Sequence, residues 1–131
     1  VVGDHHLIGV MGGESADTFW PPEGKRADVD LDEFRYASNS AVLEAIDDTD
    51  LVSAEFSVVH FNEPDTVSHI HGPDAEDTKF RVSETDNALG ELIDRLRPSW
   101  DDTVLIVVSD HDQEYVVEYG FDLAESLNNR G

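Results

Sequence analysis

Cysteine is absent from the 131 residues, which excludes disulfides and thiolate metal sites and leaves the redox compartment open. Basic residues are scarce: 8 Lys and Arg stand against 30 Asp and Glu, a net charge of −22, and the only lysines are Lys25 and Lys79. With no basic patch to meet phosphates, a nucleic-acid-binding surface is excluded. No run approaches the roughly 20 apolar residues that cross a bilayer, and no signal-peptide pattern opens the chain, so no membrane partner is expected. Val1 is not a natural start residue, and the chain is read as a piece of something longer.

What is present is acid, spread along the whole length and not gathered in a tail. Exposed like charges repel across a Debye length that shrinks only as salt rises. Carboxylates in place of lysine resemble the surfaces of proteins from salt-accumulating organisms, and predict a cytoplasmic location in a salt-rich, halophilic cell. The rival reading is an acidic protein that binds metal or polycations. With 39% apolar residues the chain can bury one modest core, so residues 1–131 are taken as a single domain.

Hydrophobic spacing sets the expected elements. HHLIGVM (5–11) and AEFSVVHF (54–61) predict strands, and TVLIVVSD (103–110) is apolar enough for a central parallel strand covered on both faces. VVEYG (116–120) is a further short strand candidate, followed by a helical turn or two over 121–127. Residues 12–30 are rich in Gly, Pro and Asp and predict an irregular excursion. A helix is expected from Asp32 through Ile46, capped by Asp30 or Asp32. The clearest helix runs from Ala75 to Leu96, where Phe80, Val82, Thr85, Leu89, Leu92, Ile93 and Leu96 recur at three- and four-residue steps and Pro98 follows. Strand, helix, strand, helix, strand predicts an α/β fold with a mostly parallel sheet flanked by helices and right-handed crossovers.

In such sheets the functional loops lie beyond the carboxyl ends of the strands. FNEPDTVSHIHGPD (61–74) would follow one strand and SDHD (109–112) ends another. Carboxylate oxygens with neutral imidazole nitrogens suit zinc, manganese or iron without any cysteine. Asp65 and His69, four residues apart, can reach one ion from a tight loop or a helical turn. Asp110 and His111 are adjacent, so the backbone must turn for both to aim inward. The bland alternative for 61–74 is a polar surface loop. In it Gly72-Pro73 is turn punctuation, Asp74 caps the next helix, and Glu63 is structural.

NEPDTVSHIHGPD, the helix bearing VSETDNALGELIDRL, and DDTVLIVVSDHD together resemble the alkaline phosphatase superfamily. Within it they are similar to the type I phosphodiesterase/nucleotide pyrophosphatase branch, which includes phosphonoacetate hydrolase-like enzymes. The resemblance covers residues 51–112, and reaches loosely back to DTFWPPEG (17–24). It implies an incomplete alkaline-phosphatase-like core and a segment of a metal-dependent phosphohydrolase cleaving phosphodiester, pyrophosphate or phosphonate bonds. Two divalent ions are implied, zinc foremost with manganese or iron as alternatives. Asp65 and His69 match the ligands of one ion, and Asp110 and His111 match ligands of the other. The implied partner is a phosphorylated small-molecule substrate. His71, just beyond His69 in the sequence, is a candidate substrate or metal contact, the alternative being that it only faces solvent.

This chain departs from the motif where Ser68 and Asp112 stand in place of glycine. The catalytic nucleophile and the remaining ligands have no convincing counterpart: Asp4, His5 and His6 precede a strand instead of following one. The chain is therefore expected to be inactive alone. The alternative is a non-catalytic acidic domain that binds divalent cations or serves as an interaction module, and self-association between copies is left open. His60 is expected to sit in the sheet or core, and Asp86 and Gly90 to be packing positions.

Overall fold

The computed structural model describes residues 15–21, 31, 34 and 36–115. The strand candidates at 5–11 and 116–120, the turns at 121–127, and Asp4, His5 and His6 lie outside the described residues. Among the described residues there are four α-helices: α1 (Asn39–Glu44), α2 (Asp48–Ser53), α3 (Glu63–His71) and α4 (Glu76–Leu96). A 3-10 helix (Arg97–Asp102) continues from α4.

Helix α4 is the axis of the fold. Its expected range and the observed 21 residues agree to within a residue. Glu76 and Asp77 occupy its first turn and Arg95 its last, which suits the helix dipole at both ends. The buried stripe Ala88, Leu92 and Leu96 packs against Leu43 of α1 and Ile46, with Leu51, Val59, Phe61, Leu89 and Leu105 partly buried around it. Pro98 falls within the first turn of the 3-10 helix, where the missing N–H costs no intrahelical bond. Asp74 does not cap α4: the N-cap is Ala75, with no side-chain capping bond.

The shorter helices are held by caps and cross-ties. Ser38 accepts from Ala41 N at 3.2 Å, and Asp47 from Thr49 N and Asp50 N at 2.8 and 3.2 Å; each satisfies amides that a helix start leaves unbonded. The first short helix therefore starts at Asn39, later than the pattern from Asp32 predicts. Arg95 donates to the Leu43 carbonyl at 2.7 Å and fastens α4 to the end of α1.

The expected sheet is absent from the described residues. No strand occurs among the described residues, so the prediction of an α/β fold with a mostly parallel sheet is wrong for this structure. The segments 54–61 and 103–110 form no ladder with each other. Their apolar, β-branched composition favours extended backbone, but a strand also needs a neighbour to receive its N–H and C=O groups. Val104, Ile106, Val107 and Val108 are 65–86% exposed, and within 104–108 Leu105 alone packs on the core. Asp86 is exposed and Gly90 has open space where a Cβ would be, so neither is a packing position.

Candidate metal centre

The stretch 61–74 folds as a helix between two punctuation marks. Pro64 sits in the first turn of α3, where its fixed φ suits the helix and its missing N–H is not needed. Gly72 ends it at φ 94°, a left-handed value that favours glycine. A Cβ there would also meet the Tyr115 ring at 2.7 Å, so a side chain at 72 would displace that ring. Thr78, buried on α4, donates to the Gly72 carbonyl at 2.8 Å. At the other end, Glu63 accepts from Arg81 at 3.1 Å and from the Asn39 amide at 3.0 Å. α3 is thus tied at both ends.

Asp65 and His69 lie one turn apart on α3, where i and i+4 side chains share a face. His69 Nε2 is 3.4 Å from Asp65 Oδ1. The Phe34 ring meets His69 edge-on at 6.0 Å between centroids. The second pair arrives from the extended segment, which bends at Asp110. There Ser109 Oγ donates to the His111 carbonyl at 2.5 Å and His111 Nδ1 approaches the Asp112 carbonyl at 3.0 Å. His111 Nε2 consequently stands 3.7 Å from Asp65 Oδ1 and 3.7 Å from Asp110 Oδ2. The two carboxylates are then no farther apart than twice that distance.

His71 goes elsewhere, with Nδ1 3.6 Å from Asp77 Oδ2 at the start of α4. His60 is half-buried, and its Nδ1 has no hydrogen-bond partner among the described residues. Gln113 was not signalled by the sequence. Its Nε2 donates to Asp65 Oδ1 at 2.6 Å, and only its closeness to SDHD could have drawn attention to it.

Charge follows from this arrangement. The Asp112 carbonyl beside Nδ1, and then the carboxylates of Asp110 and Asp65, hold the His111 pKa above its ordinary value. Each favours the imidazolium form. In the metal-free protein this favours folding below the ordinary imidazole value of about 6.5. The contribution is lost as pH rises through the raised value.

The donor set suits a divalent cation. Two atoms each about 2.0–2.1 Å from one tetrahedral ion lie about 3.4 Å apart, which matches the 3.4 Å between His69 and Asp65. Among the described residues no three His, Asp or Glu side chains are arranged to hold one ion. The donors come as Asp–His pairs meeting at Asp65. Among the described residues no helix is long and apolar enough to cross a membrane.

Comparison with known proteins bears on this arrangement. Ectonucleotide pyrophosphatase/phosphodiesterase family member 7 of Mus musculus and its namesake in Rattus norvegicus are each 33% identical to the chain over 69 residues. The match takes in 51% of this chain and 16% of theirs, so the chain spans a small part of these relatives. No solved structure matches. The model of the type I phosphodiesterase / nucleotide pyrophosphatase family matches residues 8–131, and the chain belongs to that family.

Proposed function

We propose that this chain carries part of a two-metal centre in a phosphohydrolase that cleaves a phosphodiester, pyrophosphate or phosphonate bond of a small molecule. The observation that carries the reading is the meeting of Asp65 with His69 at 3.4 Å and with His111 at 3.7 Å, from segments more than 40 residues apart. The residues that would hold the ions are Asp65, His69, Asp110 and His111, with zinc the first candidate and manganese or iron the alternatives. Bound divalent ions supply Lewis acidity at the phosphoryl oxygens and lower the pKa of a coordinated nucleophile. The chain's own part is to fix two carboxylates against the ions' charge and to offer imidazole nitrogens in neutral form. His111 reaches that form only above its raised pKa.

Manganese(II) binding, followed by loss of the free-ion electron paramagnetic resonance signal, tests the reading. Removing an outer-shell partner already costs about 10–100-fold in metal affinity, so Asp65→Asn is expected to lose at least about 100-fold. Affinity of the unaltered chain should also fall on acidification, beginning above the ordinary imidazole pKa because the proton on His111 competes with the ion. Equal binding by the parent and Asp65→Asn would overturn the metal centre.

A second measurement concerns turnover. The nucleophile is not assigned to any residue of this chain, so the 131 residues alone are expected to hydrolyse bis-p-nitrophenyl phosphate no faster than buffer containing the same zinc or manganese. Turnover abolished by changing one Ser or Thr of this chain would place the nucleophile within it.

A further inference from the structure

The residues around Asp65 include two with no part in the centre described so far. Gln113 Nε2 donates to Asp65 Oδ1 at 2.6 Å. On its other side, Gln113 Oε1 accepts from the hydroxyl of Ser68. Ser68 lies three residues beyond Asp65 on α3, is buried, and its hydroxyl also reaches the Asp65 carbonyl at 3.0 Å. The polarity of this chain of bonds is dictated by chemistry. An ionised carboxylate only accepts, so the amide nitrogen must face Asp65; the amide oxygen then faces Ser68, whose hydroxyl has a proton to give.

We propose that Ser68 and Gln113 form a positioning relay that fixes the Asp65 carboxylate for metal binding. The proposal rests on the metal-centre reading for its purpose but not for its geometry. Asp65 Oδ1 faces two imidazoles at 3.4 and 3.7 Å, and a free carboxylate could rotate toward either. The Gln113 donor holds Oδ1 in one place through a charge-assisted bond, stronger and shorter than its neutral counterpart. Ser68 in turn sets the amide, so its effect passes through Gln113.

Two readouts on the whole chain test this. The first is the Gln113 side-chain amide resonance in nitrogen–proton NMR spectra of the metal-free protein. It is expected downfield in the parent, to move upfield in Asp65→Asn, where the acceptor loses its charge, and to move again in Ser68→Gly. The second is manganese(II) affinity. Gln113→Met keeps the length and removes the donor, and is expected to weaken binding about 10–100-fold, the range for outer-shell partners. The Ser68→Gly/Gln113→Met double variant should bind no more weakly than Gln113→Met alone, because groups acting in series are not additive. Circular dichroism confirms folding of each variant.

A Gln113 amide indifferent to Asp65→Asn overturns the relay, whatever the metal does. So does Gln113→Met binding manganese as tightly as the parent. If the parent binds no manganese while the amide responds to Asp65→Asn, the metal centre falls and the orienting of Asp65 by Gln113 stands.

Discussion

Leu92→Ala is expected to lower the midpoint of the cooperative thermal transition, followed by the helical circular dichroism signal, by at least about 10 °C. Leu92 is 5% exposed and belongs to a buried cluster of five: Leu43, Ile46, Ala88, Leu92 and Leu96. Truncating a buried leucine costs about 2–5 kcal/mol, from lost transfer free energy and the cavity left behind. Whole domains are stable by only about 5–15 kcal/mol. At roughly 4–8 °C per kcal/mol for a structured region of this size, the midpoint should fall by at least about 10 °C. Phe80→Ala is the control, since Phe80 on the same helix is 61% exposed and should cost no more than about 0.5 kcal/mol. Equal midpoints for Leu92→Ala and the parent would mean that the α4 stripe is not the core.

Removing salt should unfold the protein altogether. Among the described residues each of the four Lys and Arg side chains is already paired: Lys79 with Glu76, Arg81 with Glu63, Arg95 with Glu91 and Asp48, and Arg97 with Asp94. The surplus acid behind the net charge of −22 therefore depends on solvent cations for relief. The Debye length falls from about 10 Å at 0.1 M salt to about 3 Å at 1 M, so repulsion between carboxylates dwindles over that range. The helical signal of the metal-free chain should rise from low to multimolar KCl, with a similar midpoint in NaCl if screening is the cause. Such behaviour suits the proposed salt-rich cell. A full helical signal in salt-free, metal-free buffer would sink this account.

The sequence made α4 legible because apolar residues at three- and four-residue steps have one regular solution, a buried helical stripe. It misled over TVLIVVSD because an apolar run reports a preference for burial and extension, whereas ladder pairing depends on a neighbour the run cannot specify. Residues 61–74 read as a loop because proline and glycine, here Pro64 and Gly72, commonly interrupt regular structure. Each instead stands at an end of α3, where proline and glycine are favoured. The Asp65–His69 pairing followed from a four-residue spacing. That His111 approaches Asp65 as well depends on the bend at Asp110, and Gln113 belongs to no spacing rule, so both required the fold.

The extended segment that brings Asp110, His111 and Gln113 to α3 also bears on how ion binding and folding are coupled. It has few internal bonds of its own, and it meets Asp65 across a contour of more than 40 residues that includes all of α4. A cation held by Asp65 together with either member of the second pair would close that contour into a ring. It would act as a reversible cross-link, disfavouring the open chain by the loop-closure entropy that a covalent tie exploits. Because the ring encloses the long helix, its stabilisation would fall on unfolding of α4 as well as on the site. Chelation would then loosen the core at Leu92 without removing a single apolar contact.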